Sequence, residues 1–186
     1  MKGNVSAMKL PTREEAIAML KEYKMPDNIF AHTMQVNKVA NFLAGKINEN
    51  GTKVSLELVD RASILHDLDK HLTLETNNHS TLTRKILKEK GFPELADAAA
   101  NHMLENILKK GGLQNIEEKI VYYADKRVNH NRIVPLKERF AYLRKRYGTT
   151  FKREEEIKEF EAACNRLEKG LFALSKTKPS LDDIDE

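Results

Sequence analysis

The 186 residues of the chain suit one domain with a buried core, and its composition, 40% hydrophobic and 32% charged, is typical of a soluble, helix-rich protein. No apolar run approaches the roughly 20 residues of a membrane span, no signal-peptide core is visible, and the single cysteine excludes an internal disulfide, so we expect a cytoplasmic protein. The formal net charge of +4 is compatible with anionic substrates such as phosphates and is far from a nucleic-acid-binding footprint.

Three helices are predicted in the first third of the chain. The first begins near Thr12, because Thr12 and Glu15 have the spacing of a capping box, and it ends before Pro26. The second runs to about Asn48 and presents an apolar residue every three or four positions. The third begins near Ser55, a residue type that caps helix N-termini.

The middle of the chain predicts three more helices. The polar stretch 70–78 indicates a loop, and a helix follows over about 79–90. Gly91 suits the end of that helix, and Pro93 suits the first turn of the next one. After a glycine pair that interrupts the pattern, residues 116–128 again have helical periodicity.

The last third predicts a helical hairpin. Residues 135–147 carry one apolar stripe, and a second apolar seam in 148–175 repeats with spacings of three and four residues. The seam predicts a final helix packed along a partner, either the 135–147 helix of the same chain or a second copy in a homodimer. The tail, 176–186, is polar, and we expect it to be frayed. No strand pattern or internal repeat is visible, so the predicted fold class is all-α.

Five polar side chains fall on the apolar faces of predicted helices. A buried carboxylate costs on the order of several kcal/mol unless it is paired or coordinated, whereas a single buried histidine is usually an ordinary core residue. Convergence on one cation explains all five together. These residues are His32, His66, His79, His102 and Asp125.

His66 and Asp67 are adjacent, and adjacent side chains on a helix point about 100° apart. Both can reach one ion only if the helix bends or ends there. The candidate ligands extend over residues 32–125 and include no thiolate, unlike most structural zinc sites. The sequence therefore favours a catalytic centre for a divalent metal; mixed imidazole and carboxylate ligands suit Mn, Fe, Co, Ni or Zn, and carboxylates with water suit Mg.

Residues 12–147 resemble the HD-domain metal-dependent phosphohydrolases whose core motif reads His-Asp-Ile-Gly. The family pattern is a lone histidine on an early helix, a His-Asp pair and a distal aspartate. It is matched in order and spacing by His32, His66, Asp67 and Asp125. The resemblance implies a single helical bundle, to which the apolar seam adds a C-terminal helical extension, and one metal ion bound by these four residues.

The segment from His79 to His102 resembles the part that supplies further histidines in members with two metals. It implies a second ion held by His79, His102 and a shared Asp67 carboxylate. The chain departs from the family motif at Leu68-Asp69, which replaces Ile-Gly, and at Met103, where many two-metal members have another histidine. One ion is therefore the expectation, and a second stays open.

The resemblance implies hydrolysis of a phosphate ester in a nucleotide or a related small phosphorylated molecule by metal-activated water. Asp67 would hold the metal. Lys70 would bind a phosphate oxygen, or it would be a solvated loop residue. Asp69 would orient a ligand histidine, or it would be a cap where the helix that carries His66 ends.

The remaining basic residues are ambiguous. Of Lys126 and Arg127, one is expected to line the pocket and the other to face water. The basic cluster in residues 139–153 suggests a nucleic-acid interface, but interspersed glutamates weaken its field and no aromatic stacking platform accompanies it. A solvated helix face is the ordinary interpretation.

Two other functions fit the same scaffold. One is a non-catalytic regulatory module that binds a metal or a nucleotide, and the other is an enzyme of a different class, such as an oxygenase with a di-iron centre. Decayed modules usually lose ligands, whereas every residue of the minimal set is present here, which favours the hydrolase. The side chains that determine substrate specificity are not part of the motif, so the motif does not identify the substrate.

Overall fold

Eight α-helices make up most of the described chain, which comprises residues 8–73 and 79–185 of the computed structural model, the side chains of residues 183 and 185 excepted. Two short antiparallel strands lie between the sixth and seventh helices. The predicted all-α class is therefore confirmed. The elements are α1 (Arg13–Glu22), α2 (Asp27–Glu49), α3 (Leu56–Leu65), α4 (Thr81–Glu89), α5 (Pro93–Ala100), α6 (Ile116–Lys126), β1 (Val128–Asn129), β2 (Arg132–Ile133), α7 (Leu136–Tyr147) and α8 (Phe151–Ser175).

Side-chain caps begin α1 and α3 where the sequence predicts. The Thr12 hydroxyl accepts a hydrogen bond from the Glu15 amide (3.1 Å), and the Glu15 carboxylate accepts one from the Thr12 amide (2.7 Å), which completes the capping box. The Ser55 hydroxyl accepts a longer bond from the Leu58 amide, at 3.4 Å. Each cap satisfies an amide that the helix leaves unpaired and contributes about 1 kcal/mol.

The central helix is α2, which packs against α3, α6 and α8. Val36, Val39, Leu43 and Ile47 are fully buried along its inner face at spacings of three or four residues. Burying one such aliphatic side chain contributes about 1.5–3 kcal/mol. His32 lies one turn before this stripe, so the same periodicity carries the imidazole inward.

The final two helices pack together within the chain, which is one of the two arrangements that the apolar seam allows. α8 packs against α7 and also reaches α2. Ile157, Cys164 and Leu171 of the predicted seam are buried, whereas Leu174 is 37% exposed. Because the seam faces its own chain, the apolar periodicity of α8 does not require a second copy.

A buried polar network joins α1, α2 and α3 at the end of the bundle where α1 begins. Its centre is the Asp60 carboxylate, which is nearly inaccessible to solvent. Burial by itself raises the pKa of Asp60, but its hydrogen bonds outweigh burial and the pKa is lowered. The donors to this carboxylate are Asn37 (3.0 Å), Asn41 (2.7 Å), Arg13 and Arg61.

The structure differs from the predicted element bounds in two places. α4 begins at Thr81 rather than at residue 79, and α6 ends at Lys126 because the chain then turns into β1. Two strands of two residues each are too short to leave an alternating pattern in the sequence. Of the predicted loop 70–78, residues 74–78 lie outside the described residues.

The tail, for which the sequence predicts fraying, contributes to the core. Leu181 is 3% exposed, and Ile184 packs partly buried against the main core cluster. These two apolar side chains interrupt the polar tail at a spacing of three residues, which suits the 3-10 turn Asp182–Asp185 that contacts α2. Within the described part of the chain, no helix combines the length and the apolar character needed to cross a membrane.

Candidate metal centre

The end of α3 brings His66 and Asp67 to one centre. Leu65 is the last residue of the helix, His66 is its C-cap, and the following residues continue in turns, with the Leu68 amide donating to the Leu65 carbonyl (3.2 Å). The helix therefore ends at the position where adjacent side chains have to converge. Both residues are buried, His66 fully and Asp67 to 1% exposure.

The two carboxylate oxygens of Asp67 face different histidines. Oδ2 lies 3.5 Å from His66 Nε2 and 3.9 Å from His32 Nε2. Oδ1 lies 3.1 Å from His79 Nε2 and 3.5 Å from His102 Nε2. Asp67 thus stands between two groups of possible metal ligands, and within each group the ligand atoms lie within 4.8 Å of one another.

Asp125 joins the group formed by His32, His66 and Asp67. Its Oδ1 lies 3.1 Å from His32 Nε2 and 3.9 Å from His66 Nε2. α6 carries this carboxylate inward, and it is 5% exposed. The six residues proposed as ligands from the sequence are therefore adjacent in space.

All four imidazoles have the same arrangement. In each ring Nδ1 is engaged by an oxygen, so that Nε2 is the nitrogen that points toward the carboxylates. Those oxygens are the carbonyls of His130, Ser63 and Ala99 for His32, His66 and His102 (2.8, 2.7 and 2.8 Å), and Asp69 Oδ1 for His79 (2.6 Å). This is the arrangement that orients histidines as metal ligands.

Two buried atoms at the centre have no hydrogen-bond partner, His66 Nε2 and Asp67 Oδ1. An unsatisfied buried acceptor carries the cost of its lost hydration, on the order of 1–3 kcal/mol. A cation between the imidazoles and the carboxylate would satisfy both atoms. The donor set, nitrogen and oxygen without sulfur, matches a divalent transition metal, so the residues present fit such an ion.

Protonation favours ligation at the first group. Burial lowers the pKa of His66 to about 3, so its imidazole is neutral. Burial alone would raise the pKa of Asp67 and Asp125, but Lys70 and Lys126 respectively hold these values well below the usual range. The carboxylates are therefore ionised.

His79 differs, and a pH dependence of metal binding follows. Burial by itself lowers its pKa, but the neighbouring carboxylates of Asp67 and Asp69 raise it to about 9. At pH 7 a metal ion that binds through His79 would have to displace this proton. We expect the affinity for Mn²⁺ to rise as the pH approaches 9 and protons to be released on binding; titration calorimetry in two buffers of different ionisation enthalpy measures the release. A heat that does not depend on the buffer would contradict this.

Lys126 and Arg127 both point inward, which corrects the prediction that one of them faces water. Lys126 Nζ donates to Asp125 and to the His102 carbonyl (2.7 Å). Arg127 Nε donates to the Val134 carbonyl (2.7 Å), and the side chain is 2% exposed. Both cations are buried because each has several hydrogen-bond acceptors within the protein. The apolar periodicity of the sequence does not reveal these acceptors.

Helix ends hold three of the histidines, which corrects their predicted placement on helix faces. His32 lies within α2, as Asp125 lies within α6, but His66 caps α3 and His79 and His102 lie beyond the ends of α4 and α5. Asp69 has the first of its two predicted roles; in place of the second, a cap at the end of the helix that leads to His66, it contacts the start of the next helix. It orients His79, and its Oδ2 accepts from the Thr83 amide (2.9 Å) in the first turn of α4.

Two clefts open onto the centre. The first, of about 250 Å³, has His102, His79 and Asp125 in its wall and is called the His102 cleft. The second, of about 260 Å³, has His32 in its wall and is called the His32 cleft. Lys70 and Arg139 border both clefts.

Sequence reasoning missed the part of α7 that lines the clefts. Arg139 and Arg146 were interpreted as a solvated face, yet both border the His32 cleft together with Leu143. The available signal was their spacing, since positions 139, 143 and 146 fall on one face of a helix. Arg139 and Arg146 thus line a cleft, whereas the other basic residues of α7 do not line the His32 cleft.

Comparison with known proteins identifies a family whose model spans the candidate metal centre. The family model described as HD domain matches residues 29–129. The uncharacterized protein MJ0778 of Methanocaldococcus jannaschii is 30% identical over 147 residues, which cover 73% of this chain and 86% of that protein. A tRNA (cytidine(56)-2'-O)-methyltransferase of Picrophilus torridus is 30% identical over 143 residues, 69% of this chain but only 40% of that protein. No solved structure matches.

Proposed function

The chain belongs to the HD-domain metal-dependent phosphohydrolase superfamily, and from this premise we propose that it hydrolyses a phosphate ester of a nucleotide or a related small phosphorylated molecule. The observation that carries the proposal is the position of Asp67. Its two oxygens face two groups of imidazoles, and members of each group line a cleft, His79 and His102 in one and His32 in the other. A site of this form is accessible to a small phosphate ester while its ligands remain buried.

The residues divide into two ligand groups. His32, His66, Asp67 and Asp125 would hold one ion, and His79, His102 and Asp67 would hold a second. A divalent ion bound there would lower the pKa of a water molecule for attack on phosphorus and neutralise charge on the phosphate oxygens. The protein contributes ionised carboxylates and four imidazoles of one orientation, of which His66 is neutral and His79 has to lose a proton.

Two lysines support the carboxylates. Lys126 is buried against Asp125 and keeps it ionised, which makes it a positioning residue. Lys70 pairs with Asp67, but its side chain is 38% exposed and borders both clefts. We propose that the Lys70 ammonium also binds an oxygen of the substrate phosphate.

Removing the metal is the direct test. We expect protein dialysed against EDTA to release no phosphate in a screen of phosphate esters and to regain activity with Mn²⁺ or Co²⁺, because the ion supplies the attacking group and charge neutralisation. Inorganic phosphate is measured colorimetrically, with metal content measured by mass spectrometry on the same samples. Unchanged release after complete metal removal would exclude the mechanism, and metal binding without release from any ester would identify a binding module instead.

A further inference from the structure

The wall of the His32 cleft holds three cations, of which Lys70 pairs with Asp67 behind the wall and the two arginines pair with no carboxylate among the described residues. Lys70, Arg139 and Arg146 lie in its wall, and among its described lining residues none is an aspartate or a glutamate. The His102 cleft is different, because Glu105 and Asp125 belong to its wall. The His32 cleft is therefore the part of this surface that is suited to an anion.

The two arginines of the His32 cleft also differ from their neighbours in the sequence. Arg144, Arg153 and Arg132 pair with the glutamates 161, 156 and 138 respectively. Among the residues that the structure describes, no carboxylate pairs with Arg139 or Arg146. An arginine cluster on a solvated face usually finds such partners, as these neighbours do.

Neutral groups hold both guanidinium groups in place. One terminal nitrogen of Arg139 donates to Asn129 Oδ1 (3.2 Å), and its guanidinium lies 5.6 Å from the centre of the Tyr142 ring. Its Nε is buried and has no hydrogen-bond partner. Arg146 donates to the Tyr142 hydroxyl (2.9 Å). A guanidinium oriented without a counter-ion presents donors in the fork that matches phosphate oxygens.

We propose that the His32 cleft is a second phosphate subsite, so that the substrate carries two phosphoryl groups. One lies at the metal centre, and Arg139 and Arg146 bind the other. His32 connects the two positions, since its ring borders the cleft while its Nε2 faces Asp125 and Asp67. For the phosphoryl group at the metal centre, this proposal rests on the proposed function. For the phosphoryl group in the His32 cleft, it rests on the two arginines alone.

The test uses inorganic pyrophosphate and metal-free, full-length protein in titration calorimetry. The variant Arg139→Gln/Arg146→Gln is expected to bind pyrophosphate at least about tenfold more weakly than the wild type, because charge-assisted hydrogen bonds are lost. Arg144→Gln, on the same helix but paired with Glu161, is the matched control and is expected to bind unchanged. If the double variant unfolds, Arg146→Gln alone serves, because Arg146 is exposed.

A kinetic arm separates the subsite from the reaction. With active protein, the ratio of kcat/KM for a nucleoside diphosphate to that for the corresponding monophosphate is expected to fall by at least about tenfold in the double variant. Weaker pyrophosphate binding in the variant, without hydrolysis of any ester by the wild type, would support the subsite and remove the proposed function. Wild-type protein that does not bind pyrophosphate, or equal binding by wild type and variant, would overturn the subsite even if esters are hydrolysed.

Discussion

The variant Asp67→Asn is expected to lose phosphate release by about 10³-fold or more at saturating Mn²⁺. The amide removes the negative charge that faces both ligand groups, and metal-assisted stabilisation amounts to several kcal/mol, with about 1.4 kcal/mol for each factor of ten in rate. Because Asp67 belongs to both groups of possible metal ligands, the substitution weakens both at once. Steady-state phosphate release and bound metal per chain measure the effect.

The control is Asp97→Asn. Asp97 is also an aspartate with a basic partner, Arg84, but its side chain is 44% exposed and it lines neither cleft. The activity of the Asp97→Asn variant should equal that of the wild type, and far-UV circular dichroism should show the same helix content in both variants. Full activity in Asp67→Asn would eliminate this residue as the centre of the reaction.

The variant Asp60→Ala is expected to lower the free energy of unfolding by about 3 kcal/mol, because the two asparagines and two arginines that donate to Asp60 lose their acceptor inside the bundle. Urea denaturation followed by circular dichroism measures the loss. The comparison variant is Asp97→Ala, which also breaks an arginine pair but at an exposed position, where less than about 1 kcal/mol is expected. Equal losses in the two variants would refute the importance of the buried network.

This network also has a pH signature. Folding lowers the pKa of Asp60 below its ordinary value of 3.8, so the ionised carboxylate stabilises the fold above that value and the contribution is lost as the pH falls toward the folded pKa. The difference in stability between wild type and Asp60→Ala should therefore be constant near neutral pH and shrink below about pH 4. A difference that does not change between pH 6 and pH 3 would show that the carboxylate acts through packing alone.

The sequence predicted those parts of the fold that depend on local chemistry. Thr12 with Glu15, and Ser55, cap helices at the expected residues because the cap uses the side chain of the residue itself. The buried stripe of α2 follows from the period of the helix. The short β-hairpin after α6 was not predictable, since strands of two residues have no periodicity.

For the site, the sequence identified which residues converge but not how they do so. Inward-facing imidazoles and acids on separate helices indicated a common centre, and the structure brings all of them together. The burial of Arg127 depends on partners outside its own helix, the Val134 carbonyl after the β-hairpin and the Glu168 carboxylate on α8 (3.6 Å). Long-range partners of this kind are invisible to a pattern read along one chain.

The anchoring of all four imidazole rings through Nδ1 has a consequence for metal choice. Rings held by carbonyl or carboxylate oxygens have little rotational freedom left to lose when an ion arrives. A chelate as rigid as this would discriminate among ions by coordination geometry rather than by adapting to each of them, so the position of the α3 terminus would matter to selectivity as well as the identity of the donor atoms.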